Sequence, residues 1–233
     1  THRVVPPSGG GRRQPVPTAH LQADVAALVG VLPSDLHPRL HVSKEVRGEM
    51  RARLAALGLD AGARYVLCTP SAAFGAAKMW PARHHGAALA GLRERHGLIP
   101  VVTGGPGEEP VMRAVAEAAR AAGAADVIDL SDEPRDLERL KALVSDAALL
   151  LSSDSGPRWF AAAFDVPCVT VMGPNFPELT ASSLERCEVV RREGLECAPC
   201  LERVCPLGHH RCMEALDPRA ALAAAERLLA SPV

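Results

Sequence analysis

Lys78 stands in a chain that otherwise draws its positive charge from arginine: of 26 basic residues, only Lys44, Lys78 and Lys141 are lysines. It lies in CTPSAAFGAAKMWP, too long for a simple turn, and a compact ammonium there suits a phosphate oxygen. The same residue reads equally well as a solvated charge ahead of a helix. A second segment, TGGPGEEP, sets Gly104, Gly105 and Gly107 before Glu108 and Glu109. Glycines let backbone approach a ligand, and either carboxylate can accept hydrogen bonds from ribose hydroxyls; acids in the first turn of a helix are also stabilised by the helix dipole alone. A third segment, SSDSGPRWFAAAF, turns from an apolar run into a helix through Asp154, Ser155 and Gly156. Open amides at a helix start form an anion site suited to a diphosphate. Asp154 beside that anion has to cap the helix or hold sugar hydroxyls, and a plain capped helix is the competing reading. The segment MGPNFPE adds Gly173 and two prolines as a possible wall for a base.

The seven cysteines are distributed unevenly, with Cys197, Cys200, Cys205 and Cys212 inside sixteen residues that also hold His209 and His210. An odd, clustered set is unlike a secreted disulfide framework. Thiolates at this density suggest a structural zinc held by four Cys, or by three Cys with His209 or His210. The spacing is not that of a common zinc finger, and inert reduced thiols or a redox pair are the other readings.

Short apolar runs alternating with amphipathic stretches position these segments. The runs 65–69, 99–103, 126–130, 148–153 and 168–172 read as strands, with 187–191 as an edge strand. Helices are expected over 81–96, 108–122, 134–144, 156–164 and 217–230. Buried strands alternating with helices imply an α/β fold: a doubly wound, Rossmann-like parallel sheet with right-handed crossovers. Ligands gather at the carboxyl ends of such strands, where the glycine, lysine and aspartate segments fall. Residues 1–60 read as a Pro-, Gly- and Arg-rich linker followed by two lead-in helices, over 18–30 and from Ser43 to Gly58, and residues 61–233 as the domain proper. Starting at Thr1 with no strand ahead of the linker, the chain reads as part of a longer protein.

Composition narrows the function. At 48% hydrophobic and 23% charged residues, 233 residues bury a real core. A net charge of -1 and 3% aromatic residues supply neither the basic field nor the stacking platform of a nucleic-acid binder. No window reaches the ~18 uninterrupted apolar residues of a spanning helix, and no signal pattern opens the chain. A cytoplasmic protein is expected.

PSAAFGAAKMWP, DSGPRWFAAAFDVPCVTVMGP and CAPCLERVCPLGHHRCM, in this order and at these separations, resemble glycosyltransferase family 9. These are the heptosyltransferases of lipopolysaccharide core synthesis, and the likeness is to the ADP-heptose type II members. It covers about residues 60–230 and implies the C-terminal, donor-binding half of a two-domain GT-B fold. It further implies that Lys78 contacts the donor phosphate or ribose, Glu108 or Glu109 the ribose, Asp154 the sugar, and the Ser155 and Gly156 backbone the diphosphate. No cofactor is implied for transfer. The implied partners are ADP-heptose and, through an N-terminal domain carrying the catalytic base, a lipopolysaccharide core acceptor that brings peripheral contact with the inner membrane. Trp159 stands where the family commonly has His, and Asn175 where Thr or Ser is frequent. The mouth of the site is expected between Lys78 and the Asp154 turn. A stand-alone nucleotide-sugar-binding module and a cysteine-centred metal or redox protein are the alternatives.

Overall fold

A computed structural model describes residues 8–9, 12–13 and 15–230. Strands β1 (Ser8–Gly9) and β2 (Arg12–Arg13) form a two-residue antiparallel ladder, followed by α1 (Thr18–Ala27) and α2 (Lys44–Ala56). The domain then alternates β3 (Tyr65–Thr69), α3 (Ala82–His96), β4 (Ile99–Val102), α4 (Glu109–Ala121), β5 (Ile128–Asp129), α5 (Leu137–Asp146), β6 (Leu149–Ser153), α6 (Pro157–Ala163), β7 (Cys168–Met172) and β8 (Cys187–Arg191). A short helix, α7 (Arg211–Glu214), and a closing helix, α8 (Pro218–Ala230), end it.

Strands β3 to β8 make one parallel sheet in the order β5-β4-β3-β6-β7-β8. From β3 the chain winds outward in one direction, then returns to the centre and winds outward in the other. β3 and β6 are therefore neighbours whose following loops diverge, which makes the gap between their carboxyl ends the switch point where ligands bind in such sheets. Every residue of β3, β4, β6 and β7 is buried, as expected of parallel strands covered on both faces. On one side α3 packs against α4 and α8; on the other, α5 packs against α2 and α6.

The lead-in helices differ in kind. Ser43 caps α2 by accepting the Val46 amide, and Met50 and Leu54 reach the core together with Val42. Helix α2 is thus packed into the domain whose alternation begins near residue 61. No residue of α1 is buried, and its Thr18 hydroxyl donates to the Leu179 carbonyl. No described helix is long and apolar enough to cross a membrane.

His85 sits wholly buried in α3, edge-on to Trp80 at 4.9 Å, with Nδ1 3.6 Å from Cys68 Sγ and Nε2 without a hydrogen-bond partner among the described residues. Burial presses its pKa down from 6.5 to about 3, and the neighbouring His84 adds to this. A base whose folded pKa lies below its unfolded one stays neutral in the fold while the unfolded chain takes up a proton. The stability present above pH 6.5 is therefore lost as the pH falls toward 3, at up to about 1.4 kcal/mol per pH unit. Denaturant titrations at pH 7, 5.5 and 4.5 should show this slope, and His85→Phe should flatten it; an unchanged slope would remove His85 as the cause.

Candidate functional site

The two central strands are tied together at their carboxyl ends by hydroxyls. Thr69 donates to Ser152 Oγ across β3 and β6 at 2.8 Å, and Ser153 Oγ donates to the Pro70 carbonyl at 2.7 Å. All three side chains are buried, so the switch point is set by polar contacts that water does not weaken. Beyond β6 the Asp154 amide still donates to Val171 of β7 at 3.0 Å, which carries strand geometry one residue further. Ser155 and Gly156 follow, and Pro157 opens α6 with no N–H of its own. The Ser155 and Gly156 amides make no hydrogen bond within the described residues.

Those two residues line a cavity of about 500 Å3 together with Ser71, Thr103, Gly105 and Glu108. Its far wall comes from the loop after β5 and the start of α5, through Leu130, Pro134, Arg135, Leu137 and Leu140. The volume is that of a small-ligand cleft, whose lining mixes apolar side chains such as Leu130, Leu137 and Leu140 with hydroxyl and charged groups.

Lys78 reaches the switch point from a short 3-10 turn, Ala76–Lys78. Its Nζ lies 2.6 Å from Asp154 Oδ2 and 3.1 Å from the Asp154 carbonyl, and 5.0 Å from the centre of the Phe74 ring. Asn175 Nδ2 donates to the same Oδ2 at 2.7 Å, and Asn175 Oδ1 accepts the Phe176 amide at 3.0 Å. The pair is largely buried, with side-chain exposures of 13% for Lys78 and 5% for Asp154. The expected mouth between these two residues is therefore corrected: opposite charges close that gap, and the open volume lies beyond Ser155, toward β4 and β5. An ammonium carries three N–H groups, of which two are engaged with Asp154.

The two glutamates separate. Glu108 faces the cleft and accepts the Ser71 hydroxyl and, at 2.6 Å, the Gly105 amide through one oxygen. Glu109 turns instead to Arg135, and its own amide and that of Gly107 hold its carboxyl below the usual range, with Arg135 adding to this. Gly173 lies away from the cleft: a Cβ there would stand 2.6 Å from Met213 Sδ and 3.1 Å from Cys212 Sγ. Its smallness admits the C-terminal tail beside β7. Trp159, at the position of the expected His, lies under the Arg158 guanidinium at 4.1 Å.

The tail cysteines converge on a small cavity lined by Cys197, Cys200, Cys205 and Cys212 with His209 and His210. The Cys205 sulfur accepts the His210 amide at 3.4 Å, a contact that lowers its pKa, whereas burial raises that of Cys212. No group of three or more His, Cys, Asp or Glu among the described residues is placed to hold a metal ion. The four cysteines expected from the sequence as a zinc set line one cavity together, with Cys212 also beside Gly173.

The sequence model of glycosyltransferase family 9 (heptosyltransferase) matches residues 20–211. The chain belongs to this family. Lipooligosaccharide heptosyltransferase 2 of Campylobacter jejuni is 26% identical over 169 residues, 72% of this chain and 52% of the relative. Two solved structures share the fold. One is E. coli ADP-heptose LPS heptosyltransferase II, with TM-score 0.68, 24% identity, and coverage of 85% of this chain and 55% of that one. The other is a family 9 glycosyltransferase of Veillonella parvula, with TM-score 0.73, 21% identity, and coverage of 94% and 61%. The chain spans about half the length of the relatives it matches.

Sequence reasoning passed over several residues that build the site. Thr69 and Ser71 flank Pro70 directly after β3, a hydroxyl pair at a strand end that was open to notice. The loop after β5 carried no glycine or lysine signal, yet it supplies Pro134 and Arg135.

The buried pair gives a stability test. Lys78→Met leaves the Asp154 carboxylate with Asn175 as its one side-chain donor, so unfolding in denaturant should show a loss of about 3 kcal/mol, typical of removing one partner of a buried pair. Adding Asp154→Asn should recover part of it; a single variant as stable as the parent would show that the pair does not hold the switch point.

Proposed function

We propose that this chain is the donor-binding half of a heptosyltransferase, a cytoplasmic enzyme that transfers heptose from ADP-heptose to a lipopolysaccharide core acceptor. The observation that carries this reading is the pair of unengaged amides at Ser155 and Gly156 on the wall of the cleft, beside the Lys78–Asp154 pair. Two convergent N–H donors at the carboxyl end of a central strand suit the oxygens of a diphosphate. The third N–H of Lys78 adds a charge-assisted bond to the same group.

From that anchor the cleft takes the rest of the nucleotide in one direction. Glu108 stands where a ribose would pass, and the apolar side chains of Leu130, Pro134 and Leu137 accept a purine. The base thus lies on the β5 side, away from Gly173. The sugar leaves on the Asp154 side, where Asn175 orients the carboxylate. Inverting transfer needs a base on the acceptor hydroxyl and stabilisation of the leaving diphosphate. The amides and Lys78 serve the second need. The first belongs to an N-terminal domain, which also carries the acceptor and brings the whole enzyme into peripheral contact with the inner membrane. No cofactor takes part in this scheme.

Titration calorimetry with ADP should give saturable one-site binding, and this chain alone should transfer heptose slowly or not at all. Full turnover by the isolated chain would refute the half-enzyme reading. A Cβ at Gly156 meets no protein atom within 4 Å, so Gly156→Ala should leave the unliganded melting temperature unchanged. Crowding the phosphate position should still weaken ADP by about tenfold or more, the cost of an overpacked contact. Unchanged ADP affinity would move the diphosphate elsewhere.

A further inference from the structure

The turn that carries Lys78 is not held by the sheet alone. Ala77 N donates to the Arg203 carbonyl at 3.0 Å, and the Ala77 carbonyl lies 2.9 Å from His210 Nε2. A carbonyl only accepts, so the ring carries its proton on Nε2 and donates it. Both groups of one residue are thus bound by the C-terminal tail, one peptide before the lysine. The approach is close: a Cβ at Gly75 would stand 2.5 Å from the Arg203 carbonyl oxygen. The same tail also grips the loop that orients Asp154, because the Cys200 and Leu201 amides donate to the Pro174 carbonyl at 3.1 and 2.9 Å, and Asn175 comes next.

His210 is held in an unusual conformation, at φ 46° and ψ 32°. An L-residue in the left-handed region persists where its surroundings fix it, and such strain gathers at functional places. Four hydrogen bonds fix it here: its amide donates to Cys205 Sγ, its ring to Ala77, and its carbonyl accepts the Met213 and Glu214 amides. Nothing in the diphosphate scheme uses this histidine directly.

We propose that His210 is a positioning residue for Lys78: its ring N–H clamps the Ala77 carbonyl and so fixes the turn from which the ammonium meets Asp154 and the donor phosphate. The cysteine-rich tail becomes a brace for the donor site, with Cys205 setting the backbone of His210 and His210 setting the turn. The inference rests on the donor reading for its consequence and on the hydrogen bonds alone for its mechanism.

Two variants separate the ring's N–H from its bulk. Gln places a donor at a reach similar to Nε2, Ala places none, and both meet the same left-handed backbone. Hydrogen exchange over residues 74–79 reads the clamp without any ligand. His210→Ala should speed exchange at Ala77 and Lys78 by about tenfold, the worth of one hydrogen bond, and His210→Gln should restore most of the protection. Calorimetry with ADP on the same proteins reads the consequence: about tenfold weaker binding for His210→Ala, with recovery in His210→Gln and similar melting temperatures for the two. Lys78→Ala serves as the control. If ADP binds neither the parent nor any variant, or binds Lys78→Ala as well as the parent, the donor reading fails while the exchange result still decides the clamp. If Lys78→Ala loses ADP but His210→Ala does not, or if Gln rescues neither exchange nor binding, His210 does not position the lysine.

Discussion

A parallel sheet that starts at its centre has to reverse direction once, and the reversal leaves a gap that no crossover covers. Here it lies between β3 and β6, and the hydroxyls of Thr69, Ser152 and Ser153 hold its two rims together in the buried interior. Everything assigned to the site follows from that constraint. Lys78 arrives from the loop after β3, and Asp154, Ser155 and Gly156 from the loop after β6. A one-residue change of register between the two strands would part the ammonium from its carboxylate and turn the amides out of the cleft.

Charge in the site is balanced before any ligand arrives. Lys78 is matched by Asp154, Arg135 by Glu109 and Arg139 by Asp136. In the donor reading proposed above, a diphosphate would meet few unpaired cations and take much of its hold from neutral amides and one remaining ammonium N–H. That arrangement has a kinetic logic. Donors fixed in advance stabilise charge as it develops on the leaving group, whereas a cluster of bare cations would grip the product as strongly as the transition state. Burying the Lys78–Asp154 pair costs desolvation, offset by the short contact and by Asn175, and the return is a lysine held at one place.

The sheet was legible in the sequence because its four central strands obey one physical rule: buried on both faces, they read as largely apolar runs. The runs at 65–69, 168–172 and 187–191 match the observed strands end to end, while 126–130 shrinks to Ile128–Asp129, the two residues that pair with Val101 and Val102 of β4. The turn after β6 was legible for a related reason, since Asp-Ser-Gly-Pro after an apolar run announces a strand turning into a helix. Less local features were not. Nothing in the composition of SDEPRDLE says that it faces TGGPGEEP across a cleft, because that depends on the crossing of two helices. Nor could spacing tell Glu108 from Glu109: both head the same helix, and only the position of Arg135 decides which faces inward. Gly173 was read as a ligand-side glycine, but its partner is Met213, forty residues away in sequence.

The cysteine tail shows how a segment's dense chemistry can also serve packing. Four thiols and two imidazoles in sixteen residues suggest coordination, because soft ligands at close spacing have few other common uses. In the folded chain the tail is first a packing element: Cys212 and Met213 press on Gly173, the Cys200 and Leu201 amides hold Pro174, and Arg203 and His210 hold Ala77 from both sides. These contacts end on the loop after β3, which carries Lys78, and on the loop after β7, which carries Asn175. A segment fifty residues beyond Asp154 thus governs how closely Lys78 and Asn175 approach it. Fixing a lysine in a loop after β3 requires an anchor outside the sheet, since strand ladders end at Thr69 and the 3-10 turn has few hydrogen bonds of its own. The tail supplies that anchor, which gives its dense chemistry a physical task.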